Sequence, residues 1–380
     1  MNRLLVFILF FTIFKAEAQQ NVSALAVGDS LFVLGDYSKA ITAYNKLINS
    51  ELKQFKLAKS YEALGNNPKA LAHYNNVIFN NQNATLAKYN FGKLLFKMSK
   101  LKAADSVFKI LSEENSNNPN FTYYIGLVKE KQKDSMAISF FQKTIAIDSN
   151  YINAVYKIAK INIEKRRFKE AKPAIKKGLL IDSLSIRFLI LKGLKHFHTK
   201  EYHEAVKTFE KLLSLGKKDE WIRVNLANSY SNVLKIEEAI AQYTILINRY
   251  DDKNPDYHYN IGKSFIALHY FKKAIKHIEI AIALRFTPLD NEYASLAQVY
   301  NRKKDYKKVI DLLEKAVSQN SNNEYALYQL ATAADNYFED KNTVLKYYER
   351  YLKKFGETGR MRELAKYRVR DLKKEIFIKD

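Results

Sequence analysis

Cysteine is absent from the 380 residues of this chain, and the two backbone punctuators are scarce, with 5 prolines and 11 glycines. Without a thiol there is no disulfide, thiolate metal site, cysteine nucleophile or lipid anchor attached through cysteine. So few prolines and glycines do not supply the tight turns of an all-β domain. The motifs H-E-x-x-H, G-x-S-x-G and G-x-G-x-x-G and a Walker-type glycine loop are also missing, and the carboxylates are spread at helical spacing. Nothing in that pattern points to an enzyme or a cofactor. What is present, 47% hydrophobic and 27% charged residues, belongs to a globular chain rather than a disordered one.

The first eighteen residues read separately from the rest. Arg3 precedes an apolar run from Leu4 to Phe14, and Ala16-Glu17-Ala18 follows as a small-x-small site. This is the layout of a secretory signal peptide, cleaved after Ala18. The run falls well short of the roughly twenty apolar residues that cross a bilayer. Residues 1–18 therefore predict export, to the periplasm or beyond the cell, of a mature chain with no transmembrane span.

The remainder repeats. An alanine, or a valine in its place, recurs at Ala40, Ala70, Ala104, Ala137, Ala171, Ala205, Ala239, Ala274, Val309 and Val344, mostly at steps of 33 to 35 residues. Four residues after each comes a large one: Tyr44, Tyr74, Phe108, Phe141, Ile175, Phe209, Tyr243, Ile278, Leu313 and Tyr348. About twelve before each comes a small one: Gly28, Ala58, Gly92, Gly126, Ala159, Gly193, Ala227, Gly262, Ala297 and Ala331. A fixed period in this range marks a solenoid. Each unit holds two amphipathic helix-length segments joined by a short polar turn. The small residue and the anchor alanine let the two helices approach, and bulky residues three after the first and four after the second fill the space beside them. One hairpin cannot bury its own apolar face, so neighbours stack into one elongated array.

Three departures stand out. The step from Ala40 to Ala70 is only 30 residues, which removes about one helical turn from the first or second unit; the fourth unit lacks a residue between Gly126 and Ala137; the tenth has one extra between Ala331 and Val344. Pro119 and Pro255 fall at the approach to a first helix and Pro288 after a second one, while Pro173 lies early in its helix with room for a kink.

The small residue, the aromatic three later in "GKSF" and "ANSY", the alanine, the following aromatic and the period together resemble the tetratricopeptide repeat, over Gln19 to Gly356. The resemblance implies an all-α, right-handed α-α superhelix of about ten hairpins across 19–356. Residues 357–380 form a basic C-terminal capping helix, whose stripe is Met361, Leu364, Leu372 and Ile376; a basic arm for an acidic partner is the other reading of that segment.

The resemblance also implies a non-enzymatic scaffold. In the family the first helices line a concave groove for a peptide or a partner helix, through positions three before, two before and one after the small residue. Here these are Tyr89, Asn90 and Lys93; Tyr123 and Tyr124; Tyr156, Lys157 and Lys160; Val224, Asn225 and Asn228; Tyr259, Asn260 and Lys263. An asparagine amide donates to and accepts from a peptide backbone at once, tyrosine adds apolar area with a polar tip, and lysine offers charge to an acidic group. The chain departs from the chaperone-binding members of the family, because no three consecutive repeats supply their Lys, Asn, Asn, Lys, Arg clamp.

The net charge of +23 favours an acidic protein or peptide as partner. Export argues against nucleic acid and leaves wall polymers or lipopolysaccharide as polyanionic alternatives; a subunit of an envelope assembly or secretion machine is a narrower form of the scaffold. His196, His198 and His203 lie close together in sequence. His196 occupies a slot that Phe265 and Tyr230 fill elsewhere, so it is expected to pack between helices with the other two on the surface, and no metal site is expected.

Overall fold

In a computed structural model that describes residues 23–285 and 289–379, the described residues form helices joined by turns, with no strand among them. The signal-peptide expectation on 1–18 and the placement of Pro288 lie outside those residues. The chain divides into two compact units between Ser183 and Leu184. The first holds α1 (23–33), α2 (Tyr37–Asn45), α3 (Glu51–Ala63), α4 (Asn67–Asn80), α5 (Thr85–Lys97), α6 (Leu101–Glu114), α7 (Pro119–Lys131), α8 (Ala137–Ile147), α9 (Ile152–Glu164) and α10 (Phe168–Ile181). The second holds α11 (Ile186–His198), α12 (Tyr202–Ser214), α13 (Glu220–Asn232), α14 (Ile236–Arg249), α15 (Pro255–Ala267), α16 (Phe271–Leu284), α17 (Asp290–Arg302), α18 (Tyr306–Gln319), α19 (Glu324–Tyr337), α20 (Lys341–Phe355) and α21 (Arg362–Lys379). Each odd-numbered helix up to α19 pairs with the next as a hairpin, and within each unit every hairpin packs on the one before it.

The repeat register is the packing register. All ten anchor residues from Ala40 to Val344 are 0–4% exposed. The large residue four later points across the hairpin at the small residue of the first helix. A Cβ added to Gly126 would lie 2.7 Å from the Phe141 ring, and one on Gly262 2.7 Å from Ile278 Cγ1. Glycine is accepted there because it leaves room for a buried side chain, which offsets its helical penalty of about 1 kcal/mol. The slot three after the small residue is less uniform than the sequence suggests. Beside Leu95, Tyr230 and Phe265 it holds Lys129, tied to Asp105 at 3.4 Å, and the buried Asn162.

A polar bridge repeats with the same register. The residue four before the small one reaches the residue three after the anchor: Gln54 Oε1 to His73 Nδ1 at 2.6 Å, Arg223 to Gln242 at 2.7 Å, and His258 to His277 at 3.0 Å.

The departures have local answers. The missing turn is in α2, nine residues long where α4 has fourteen. Lys53 compensates for the shortened end: its Nζ donates to the carbonyls of Asn45 and Leu47, both at 2.8 Å. The residue lost from the fourth unit comes out of the entry to α8, which begins at the anchor Ala137 itself. The residue gained by the tenth lengthens α19 to fourteen. Pro119 and Pro255 are first helical residues capped by Asn118 and Asn254, and α10 runs on through Pro173 to Ile181.

Nine of the ten hairpin turns place one residue in the left-handed region, always seven after the small residue. Only the first two, Gly35 and Gly65, are glycine; the others are Ser99, Lys133, Arg166, Lys200, Leu234, His269 and Lys304. The next N–H closes each turn back onto the first helix, as Lys235 does to the Tyr230 carbonyl at 2.9 Å. The tenth turn lacks this geometry, with Phe338 extended. A side chain at positive φ costs about 1 kcal/mol or more. Leu234 has φ 62° and an exposed side chain with nothing to offset that cost. Leu234→Gly is therefore expected to stabilise the second unit by about 0.5–1 kcal/mol. A raised urea midpoint checks it; a lowered midpoint would mean that the leucine packs usefully.

After α20, helix α21 lies along it with Ala365 and Leu372 fully buried. The expected stripe is corrected in part: Leu372 is fully buried and Ile376 partly so, but Leu364 is 59% exposed and Met361 is also on the outside, so the buried face runs through Ala365, Val369, Leu372 and Ile376. Arg368 fixes the helix by donating from Nε and Nη2 to the Asp335 carboxylate at 2.6 and 2.9 Å.

Candidate partner-binding surface

Two five-residue stretches of the same pattern, "YNFGK" at 89–93 and "YNIGK" at 259–263, lie one in each unit on first helices of hairpins, α5 and α15. In both, glycine faces the second helix and the asparagine two residues earlier lies on the opposite side, while the tyrosine sits half-buried at the edge, where Tyr89 meets Phe108 of α6 at 6.2 Å. Lys93 Nζ lies 5.3 Å from the centre of the Tyr89 ring, and Lys263 Nζ lies 5.4 Å from that of Tyr259. The Asn90 and Asn260 amides are half-buried and hydrogen-bond to no other described residue. Each copy thus presents a cation over a phenol beside an amide with its donors and acceptor unused.

In the first unit, tyrosines extend this surface. The rings run Tyr89, Tyr124, Tyr123 and Tyr151 with successive centroids 5.6, 5.9 and 4.9 Å apart. Beneath them, Tyr124 stacks on Phe108 at 4.8 Å, and Tyr123 leans on Phe141. Burial, followed by the neighbouring phenols, raises the Tyr89 hydroxyl well above its usual range and pushes Tyr151 up to about 12. These groups stay neutral donors at any ordinary pH. The lysines of α9 are already engaged: Lys157 pairs with Glu130 at 2.6 Å and Lys160 with Glu164 at 3.6 Å, while Tyr156 is half-buried and has a partner of its own.

In the second unit, Tyr259 shares a 3.0 Å hydrogen bond with Ser295 Oγ and has Arg285 at 5.7 Å as a second cation. Arg285 pairs in turn with Asp256 and with the buried Glu292.

Two expected contact residues turn out to be engaged within the hairpin. Asn225 is 8% exposed and donates to the Trp221 carbonyl at 2.8 Å. Asn228 accepts the hydroxyl of the buried Tyr243 at 2.6 Å. Tyr44 does the same to Asp29 at 2.6 Å, whereas Tyr74 and Tyr348 donate to the residue four after the small one, Glu62 and Asp335. Val224, beside them, is partly buried.

His196 packs with its side chain largely covered and Nδ1 at 2.5 Å from Glu201 Oε2, while His198 and His203 are exposed. No group of three potential ligands is placed to hold a metal among the described residues, and no helix there is long and apolar enough to cross a membrane. The sequence reading missed Arg285 and Tyr151. Both belong to the ends of helices, where the repeat register does not point.

Two tetratricopeptide repeat family models match the chain, over residues 54–78 and 293–323, which are α3 with α4 and α17 with α18. A DnaJ homolog subfamily C member 7 homolog from Dictyostelium discoideum is 23% identical over 300 residues, 75% of this chain; the chain spans about half of that relative, 49%. Among solved structures, the yeast Tom70 structure covers 96% of this chain and 98% of its own at 15% identity, with a TM-score of 0.43. A tetratricopeptide repeat protein from Parabacteroides merdae covers 66% and 98% at 14% identity, with a TM-score of 0.46.

Proposed function

The chain is a tetratricopeptide repeat protein, and from that premise we propose that it is a non-enzymatic scaffold of the cell envelope that holds an acidic peptide or helix of a protein partner against its first helices. The observation that carries this is the recurrence of one constellation in both units: tyrosine under lysine, with an unbonded asparagine amide beside it. A side chain kept only for packing has no need of an unused amide next to a cation. A partner backbone pairs with Asn90 or Asn260, its apolar side chains lie on the tyrosines, and its carboxylates meet Lys93 or Lys263. The excess of positive charge speeds the encounter. The envelope location rests on residues 1–18, and it requires that the purified native protein begin at Gln19; a native protein that begins at Met1 ends that part of the reading.

The test is crosslinking in the native host, with capture of a tagged chain and of a variant carrying Asn90→Ala, Lys93→Glu, Asn260→Ala and Lys263→Glu. One or two proteins are expected from the parent in low and high salt, reduced by about tenfold or more with the variant. Equal recovery by both chains would dismiss the surface named here. If the parent retains only heterogeneous polymer that is lost by about 0.5 M salt, it is a polyanion binder instead, because screening at that strength suppresses exposed charge contacts.

A further inference from the structure

Among the described residues, helix α21 packs on α20 and leaves its outer side exposed. In the repeats, the third residue of a first helix is core: Phe121, Phe188 and Ile222 are buried there. The third residue of α21 is Leu364, on the outside. Tyr367 and Ile378 follow on the same stripe, one turn and about four turns further along. Phe377 and Ile378 are 83% and 82% exposed in the last turn, side chains of a size that folding normally covers. Arg370 and Lys374 flank this apolar stripe, with Lys366 further round the helix. The outward acids are fewer: Glu363 lies 3.3 Å from both Arg362 and Lys366, and Asp371 lies 3.8 Å from Arg370. Arg370 stacks on Tyr367 with its guanidinium carbon 4.3 Å from the ring centre, which joins the basic and apolar stripes into one surface. The opposite face, with Ala365 and Leu372, is used up against α20.

We propose that this outer face of α21 is a docking site for a bilayer surface bearing anionic headgroups. Its chemistry is that of an interfacial helix. Leu364, Tyr367 and Ile378, with Phe377 at the helix end, enter the headgroup and acyl boundary, the tyrosine keeps its hydroxyl at the level of the headgroups, and Lys366, Arg370 and Lys374 meet phosphate oxygens. A second copy of the chain is disfavoured as occupant, since two such faces bring like charge together. The depth is that of a helix lying in the interface, consistent with the absence of a membrane-crossing helix among the described residues. This inference is independent of the tyrosine and asparagine surface of α5 and α15.

The experiment is co-sedimentation of the intact chain with phosphatidylcholine vesicles, with or without about 30 mol% phosphatidylglycerol. Three variants are compared: Phe377→Ser with Ile378→Ser, Arg370→Glu with Lys374→Glu, and Phe79→Ser on α4 as an exposed apolar control. All change exposed side chains, so folding is expected to hold, and circular dichroism checks it. The parent is expected to bind anionic vesicles only. Each α21 pair lowers the apparent affinity by about tenfold or more, and the control leaves it unchanged. Absence of vesicle binding by the parent overturns the proposal, as does equal binding to neutral vesicles. Loss with the charge pair alone, the apolar pair being silent, also overturns it, since that outcome describes attraction without docking. If the face is instead a site for an acidic protein helix, the parent stays in the supernatant when the vesicles pellet.

Discussion

Ala274→Glu is expected to melt the α15–α16 hairpin. Ala274 is 0% exposed, and the carbonyl of that same residue lies only 3.5 Å from where a Cβ on Gly262 would stand. A glutamate there must displace the neighbouring side chains or be buried with no cation provided for it. Overpacking of this kind costs about 1–3 kcal/mol, and an uncompensated buried charge about 3–5 kcal/mol. A total of about 4 kcal/mol or more is a large part of the stability of any domain. The damage should remain near its origin, because each repeat is stabilised mainly by its immediate neighbours. Hydrogen exchange should therefore show protection lost first in α15 and α16, with helical circular dichroism reduced and the first unit unaffected. Lys272→Glu, two residues away on the exposed side of α16, is the control and should change stability by no more than about 0.5 kcal/mol. An unchanged melting curve for Ala274→Glu would show that the anchor register is wrong.

That register was legible without coordinates because burial in a repeated hairpin acts on the same slot ten times. An alanine such as Ala205 means little alone, but ten anchors in phase leave little else to explain them. The short polar turns were legible as turns, but their backbone geometry was not, for the opposite reason. Their left-handed residue is usually glycine, and here lysine, arginine, leucine or histidine carries it in most repeats, so the expected letter is missing while the geometry persists. The shortened α2 could be counted from the 30-residue step, but nothing local identified Lys53 as the group that caps it, since that role depends on where two carbonyls end in space. The candidate surface divides in the same way. Asn90 and Lys93 are left available and Tyr89 is half-buried against Phe108 and Phe121, whereas Asn225 and Asn228 have the same spacing and are absorbed by Trp221 and Tyr243. Position on a helix decides which way a side chain starts, and its neighbours decide whether it is left available. On α21, Met361 and Leu364 read as inner residues together with the buried Leu372, because a leucine at helical spacing looks like core in any sequence. Which side of α21 meets α20 is what leaves Leu364 outward.

Acidification should weaken the second unit through His277, by an amount that one substitution isolates. His258 Nε2–H donates to the Asp252 carbonyl at 2.9 Å, since a carbonyl only accepts, and this leaves His258 Nδ1 to accept from His277 Nδ1–H at 3.0 Å. The two rings stack with centroids 5.2 Å apart, and Phe265 closes on His277 at 5.6 Å. Burial first, then His258 and Lys276, push the His277 imidazole down to about 4, from 6.5 for an ordinary histidine. The unfolded chain therefore binds a proton that the folded one refuses between those two values. The contribution to stability is complete above about pH 6.5 and is lost as pH falls towards 4. With allowance for the partial exposure of the ring, the loss between about pH 7.5 and 5 is about 1–2 kcal/mol.

Glu292 acts in the other direction. It occupies the core slot that Ile222 and Phe188 fill in other repeats, and burial raises its carboxyl even with Arg285 Nη1 at 2.6 Å. Its folded form holds a proton that the unfolded chain has released just above pH 4.5, so that group gains stability as pH falls and masks part of the histidine effect. His277→Gln removes only the first contribution and keeps a side chain able to donate to His258 Nδ1. Urea midpoints across about pH 7.5 to 5 are expected to fall further in the parent than in the variant, with the two curves meeting towards the acid end. Parallel curves would mean that the imidazole pair does not govern the acid response, and the buried carboxylate would then have to account for it alone.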